Sequence, residues 1–253
     1  MIDTPDLYDP NPRTRWIAAR QLRVERPQEV AAEIARRYDA TWPRFWWGVI
    51  NPWLVFVGPS PGNSGSRPID WARERMPTIG DVQVHFKEYD DSAGFWSRMR
   101  EWTTNAYTLA GIFPNEPDAA LSSVLLANLV PINQGDSGKI DKADIEAAIP
   151  DTVTLLAKLC PRVIVPMDKR ISHPLLAGFL SLGFQVESGP ISRSVPAKSQ
   201  TYTHYKPSTW KLKAPSGALV IAESPQHPSK RNFYDPQEVD NYLASVLAEA
   251  NAS

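Results

Sequence analysis

Trp53-Leu54-Val55-Phe56-Val57-Gly58-Pro59-Ser60-Pro61-Gly62-Asn63-Ser64-Gly65 starts with an uncharged apolar run and turns at Gly58 into a series of glycines and prolines. The run from Trp53 to Val57 does not alternate with polar residues, so it predicts a short strand buried on both faces, as in a parallel sheet. The glycines and prolines after it must end the strand. In open α/β sheets, ligands bind beyond the carboxyl ends of such strands. Pro59 and Pro61 stiffen this loop, while Gly58, Gly62 and Gly65 allow close approach or unusual dihedrals.

Working outward, three more buried strands are expected: Ser123 to Val130 ending at Pro131, Arg162 to Val165, and Ala218 to Ala222. Helices are expected between and after them. Phe95 to Ala110 should be one, stopped by Gly111. Asp144 to Ala148 and Asp151 to Leu159 should be two segments separated at Pro150, closed by Cys160-Pro161. Ile171 to Leu182 should end at Gly183, and Pro236 to Ala250 should carry Val239, Tyr242, Leu243 and Val246 on one face. Asp70 to Arg75 reads as a short helix and 76–93 as irregular. Phe184 to Glu187 reads as an extra strand. Strands separated by helices predict a three-layer α/β/α domain around a central, mainly parallel four-stranded sheet.

The 253 residues show no repeat or linker, so 1–253 is read as a single domain with an N-terminal helical or irregular extension over about residues 1–50. In that extension, Val30, Ile34 and Tyr38 have helical spacing behind Pro27. Trp42-Pro43-Arg44-Phe45-Trp46-Trp47-Gly48 is an aromatic knot read as core or lid packing.

Composition excludes several classes. Net charge is −1, so any nucleic-acid contact must come from a local basic patch. The single cysteine, Cys160, rules out an internal disulfide, a structural zinc site built on cysteines, or a cysteine-held iron–sulfur cluster. His85, His173, His204 and His227 lack metal-ligand spacing, so no metal and no cofactor are expected. No apolar run reaches the roughly 20 residues of a membrane span, and Met1 to Asp6 does not open a secretory signal. A cytoplasmic monomer away from membranes is expected.

Gly58-Pro59-Ser60-Pro61-Gly62 also fits G-x-S-x-G, the nucleophile elbow of α/β-hydrolases. The elbow's oxyanion hole needs the backbone N–H of the residue after the serine, and that residue is Pro61, which has none. No Gly-Lys-Ser/Thr follows, so a P-loop is excluded as well.

Three loop motifs occur in order at expected strand ends: Gly58-Pro59-Ser60-Pro61-Gly62, Leu125-Leu126-Ala127-Asn128-Leu129-Val130-Pro131, and Gln226-His227-Pro228-Ser229-Lys230-Arg231. Taken together, from Leu54 to Arg231, they resemble the uracil-DNA glycosylase superfamily. The resemblance implies a DNA partner, base flipping and cleavage of the base–sugar bond. It implies that His227 donates a hydrogen bond to the departing base, that Asn128 reads the base edge, and that Ser229, with Lys230 and Arg231, holds the DNA backbone. Gly58, Pro59, Pro61 and Gly62 would line the base pocket, with Trp71, Phe86 or Phe95 stacking on the base. Ser60 departs from the Asp, Asn or Glu pattern of most branches; a hydroxyl is no base at neutral pH unaided. Asn63 is a candidate water holder, and Asp70, Asp81 and Asp136 are candidate replacement acids.

The segment 192–213 carries Arg193, Lys198, Lys206, Lys211 and Lys213 among Tyr202, His204, Tyr205 and Trp210. It has two readings, a DNA-contacting element or a solvated hairpin. The alternative to an enzyme is the same fold used as a nucleobase or nucleic-acid binding module without cleavage, which Ser60 favours.

Overall fold

A computed structural model describes residues 46–48, 52–59, 95–113, 117–121, 123–129, 140–197, 206–214, 217–226 and 234–252. The chain runs β1 (Trp47–Gly48), β2 (Leu54–Gly58), α1 (Phe95–Leu109), α2 (Pro117–Leu121), β3 (Val124–Asn128), α3 (Lys142–Leu159), β4 (Val163–Pro166), α4 (Lys169–Ser181), β5 (Gln185–Ser192), β6 (Ser208–Ala214), β7 (Gly217–Ala222) and α5 (Pro236–Asn251). The expected elements at 27–38 and 70–75 lie outside the described residues.

The four anticipated strands are neighbours, in the order β3-β2-β4-β7, and run parallel. The expectation of a mainly parallel four-stranded sheet is nonetheless corrected. The sheet has seven strands in the order β1-β3-β2-β4-β7-β6-β5, and β1, β6 and β5 all join it antiparallel. The added strands were hard to read for physical reasons. β1 is two residues long. β5 begins where the extra strand was expected, at Phe184 to Glu187, but runs on to Ser192 with nearly every residue exposed, so no apolar face marked its length. In β6, buried Trp210 and Leu212 alternate with Lys211 and Lys213, the signature of a half-buried strand that the run of cations obscured.

Helices cover both faces of the sheet. Leu54 and Phe56 point into a cluster shared with α1, α2 and α5, including Met99, Trp102, Leu121 and Val246. Val55 and Val57 point into a second cluster shared with α3 and α4, including Ile145, Leu156, Ile171 and Phe179. A strand between two cores must be apolar throughout, which is why Leu54 to Val57 shows no alternation. Each such side chain contributes roughly 1.5–3 kcal/mol by leaving water.

α1 ends as its sequence predicts. Gly111 adopts φ 69°, its N–H donates to Thr108 O and the Ile112 N–H donates to Tyr107 O, a Schellman cap that only a residue tolerant of left-handed backbone closes cheaply. At α3 the expectation of two segments is corrected: one helix continues through Pro150. Ile145, Ile149, Val153, Leu156 and Leu159 form an unbroken buried stripe on both sides of the proline. That burial offsets the roughly 3 kcal/mol cost of an interior proline.

α5 packs on α1 with one polar contact inside the interface. Asn105 Nδ2 donates to Asp240 Oδ2 at 2.7 Å, and Asp240 Oδ1 is buried with no partner among the described residues. Burial pushes the Asp240 carboxyl up to about 6; the Asn105 hydrogen bond opposes that and nearby Glu101 reinforces it. A carboxyl whose folded pKa is raised stabilises the fold when protonated. The contribution is complete below the unfolded pKa and disappears as pH rises through about 6. Asp240→Asn is therefore expected to flatten the loss of stability between pH 4.5 and 7.5 and to raise neutral-pH stability by up to about 3 kcal/mol. Urea melts across that range check it; parallel pH profiles for both proteins would exclude Asp240 as the titrating group.

In the described part of the basic, aromatic segment several side chains have structural partners. β5 and β6 form an antiparallel hairpin. Arg193 pairs with Glu249 at 2.7 Å and also bonds Ser245, while Lys211 pairs with Glu187 at 3.3 Å. Trp210 is buried with its ring edge-on to His173. Lys198, Tyr202, His204 and Tyr205 lie outside the described residues.

Candidate functional site

The fold marks one place for a ligand before any motif is considered. After β2 the chain passes to the face covered by α1 and α2, whereas after β3 and β4 it passes to the face covered by α3 and α4. With the parallel strands ordered β3-β2-β4-β7, chain direction switches between β2 and β4, and in open α/β sheets the carboxyl ends at such a switch are where a ligand crevice forms.

The strand ends at this switch are tightly paired. Gly58 lies in register with Asn128, and its carbonyl accepts from Leu129 N at 3.0 Å. Met167 N donates to Val57 O at 2.8 Å, and Ser224 N donates to Pro166 O at 2.9 Å. The ends of all four parallel strands are thus hydrogen-bonded to their last residues, a rigid mount for whatever side chains they carry.

Gly58 serves here through its lack of a side chain. It is not among the left-handed glycines. A Cβ built on it would stand 2.8 Å from Asn128 Oδ1 and 3.1 Å from Met167 Cε. The bare backbone at the end of β2 is therefore the space in which the Asn128 carboxamide lies. Asn128 is only 6 % exposed, and its main-chain carbonyl accepts from the Trp46 indole N–H at 3.0 Å. A buried carboxamide at a switch point offers a donor and an acceptor in a fixed orientation, and Met167 supplies a polarisable apolar wall. The aromatic knot has a role in this: buried Trp46 anchors the end of β3, in keeping with its reading as core packing.

No family model matches the chain, and no curated protein matches it. The site must be judged on its own geometry.

Of the residues the sequence singled out, Gly58, Pro59 and Asn128 are described, and the first and last of these meet. Pro59 is buried directly after β2. Ser60, Pro61, Gly62, Asn63, Trp71, His227, Ser229, Lys230 and Arg231 lie outside the described residues, as do Phe86, Asp70, Asp81 and Asp136. Phe95 packs partly buried against the core at the start of α1.

Two acids at this edge have structural duties. Asp168 caps α4, accepting from Arg170 N at 2.9 Å and pairing with its guanidinium at 2.8 Å. Buried Glu223 accepts from Ser208 N at 2.9 Å, and its own N–H donates to Ser208 O, which ties β7 to the start of β6.

Sequence reasoning missed Met167 and Gln226. Gln226 is 8 % exposed, its carbonyl accepts from Ser224 Oγ at 2.6 Å, and its Oε1 is buried with no partner among the described residues. An orphaned amide oxygen one residue before His227 is a group that a ligand N–H would satisfy. Its signal in the sequence was its position immediately after the last buried strand. Among the described residues, no group of three or more His, Cys, Asp or Glu is placed to hold a metal ion, and no helix is long and apolar enough to cross a membrane.

Proposed function

We propose that this chain is a DNA glycosylase-like protein of the uracil-DNA glycosylase superfamily, flipping uracil or another deaminated base into the crevice and hydrolysing its bond to the sugar. The observation that carries this reading is the Asn128 carboxamide, held buried over the bare Gly58 backbone at the switch point. Such a group pairs with the donor–acceptor edge of a nucleobase and binds a phosphate or a simple acyl group less well. In this reaction the oxygen of water bonds to C1′ of the sugar, the C1′–N bond breaks, its electron pair leaves with the base, and the proton the water loses ends on the released base through solvent. His227 steadies the charge that develops on the base by donating a hydrogen bond. Ser229, Lys230 and Arg231, which follow β7 in the chain, hold the phosphates. The partner is DNA, through a local basic patch, and the protein acts as a cytoplasmic monomer without a cofactor.

A second reading, a binding module of the same fold that does not cleave, draws support from the acids. Ser60 replaces the usual carboxylate or amide, and the described acids at the crevice, Asp168 and Glu223, are engaged in capping and strand pairing. A labelled oligonucleotide carrying one uracil, incubated with the protein and then treated with alkali, separates the readings. Strand scission above the blank is expected for the glycosylase. Retention of the oligonucleotide without scission identifies the binder, and neither outcome would end both.

A further inference from the structure

The outer edge of the sheet carries a second hold on Asn128. β1 covers this edge with two residues, Trp47 and Gly48, which pair with Leu126 and Leu125. Asn128 is the last residue of β3 and lies beyond that pairing. On its inner side, the next peptide group is bonded to β2, with Leu129 N donating to Gly58 O at 3.0 Å. Successive peptide groups of a strand point to opposite sides, so the Asn128 carbonyl faces the outer edge. There the Trp46 indole N–H meets it at 3.0 Å, in the place of a ladder bond.

This bond is closed from water. Trp46 is 3 % exposed and shares its cluster with Val57, Ala127 and Leu129. A strand end gripped on one side alone frays readily, and a buried carbonyl that loses its donor costs more than the bond itself was worth. Asn128 sits at such an end, and its carboxamide is wedged between the Gly58 backbone and Met167. Any shift of the Asn128 main chain would release that wedge.

We propose that Trp46 is a positioning residue, whose indole N–H fixes the end of β3 so that the Asn128 carboxamide keeps one orientation toward the base. This rests on the base-reading role of Asn128 proposed above. Orientation matters because deamination exchanges donor and acceptor on the base edge. Uracil offers N3–H and O4 where cytosine offers N3 and an amino group, and hypoxanthine differs from adenine in the same way. A carboxamide held one way matches one partner and opposes the other, whereas one free to turn over accepts both. Trp46 precedes the stretch from Leu54 to Arg231 in which the three motifs occur, so the aromatic knot supports the site from outside that stretch.

The test is fluorescence anisotropy on the full chain, with oligonucleotides identical except at one 2′-fluoro nucleotide, whose fluorine resists base release. The wild-type protein is expected to prefer uracil to cytosine, or hypoxanthine to adenine. Trp46→Phe keeps an aromatic ring and removes the donor. It should narrow that preference by roughly tenfold, the effect of leaving one buried polar group unpaired. Affinity for the cytosine or adenine strand, which rests on backbone contacts, should stay unchanged. A purely structural loss would lower both affinities together and leave their ratio as it was. In an Asn128→Ala background, Trp46→Phe should not change the ratio further. An unchanged ratio in a folded Trp46→Phe, or a narrowing that persists in Asn128→Ala, overturns the proposal and leaves base reading by Asn128 standing. A wild-type protein that distinguishes neither pair overturns both. If Trp46→Phe does not fold, benzothienylalanine placed at position 46 by codon suppression decides, since it keeps the shape of indole and carries sulfur in place of the N–H.

Discussion

His227→Ala is expected to slow base release from a uracil-containing oligonucleotide by about 10²–10³-fold, the usual loss when one preorganised donor to a developing anion is removed. Thermal stability should hardly change if His227 acts in the reaction rather than in the fold, since a substitution away from packed apolar contacts shifts stability little. The physical basis is the charge on the leaving base. A hydrogen bond that strengthens as the C1′–N bond breaks lowers the barrier without tightening ground-state binding. The loss should therefore fall on the single-turnover rate and leave DNA affinity nearly untouched. Unchanged scission by a folded variant would remove His227 from the reaction.

Gly58→Ala should have the second-largest effect, and it is a test of geometry. The added methyl would lie 2.8 Å from Asn128 Oδ1 and 3.1 Å from Met167 Cε. Both obstacles are side-chain atoms, so the fold can yield, at a cost on the order of 1–3 kcal/mol for overpacking. The carboxamide has to leave its position, and affinity for a uracil-bearing strand should fall about 10–100-fold, the worth of one or two well-made polar contacts. Asn128→Ala should cause a similar loss. The double variant should lose no more than the worse single one, because both changes remove the same interaction. Fluorescence anisotropy on the four proteins gives the cycle. Fully additive losses would mean that Gly58 acts other than by housing Asn128.

Much of the architecture was legible because burial on two faces leaves a plain mark. Leu54 to Val57, Val124 to Ala127 and Val163 to Val165 are apolar without alternation, and each became a parallel strand between two helical layers. Gly111 and Gly183 stopped their helices where expected, with φ 69° and 89°. Pro150 misled, since a local helix-breaking rule competes with a buried stripe that only the packed α3 reveals. β5 was anticipated only in its first residues, Phe184 to Glu187, and its run on to Ser192 left no mark, because an exposed edge strand has no hydrophobic face. At the crevice, Asn128 could be picked from its place at a strand end. Met167 and Trp46 could not, because their importance depends on which strands become neighbours, and Gln226 was visible only as the start of the His227 motif, its buried amide oxygen appearing only in the folded chain.

The chain's own residues determined that there would be parallel strands between helices, where most helices would stop, and that proline-punctuated segments would follow the first and last of the buried strands. Those are properties of local stereochemistry and of how many faces an element must bury. Strand order was decided only by folding, and with it the switch between β2 and β4, the contact of Gly58 with Asn128, and the bond from the Trp46 indole to the end of β3. Each of these joins residues far apart in the chain, and such meetings are selected by the packing of whole layers, for which no short stretch of sequence holds the information.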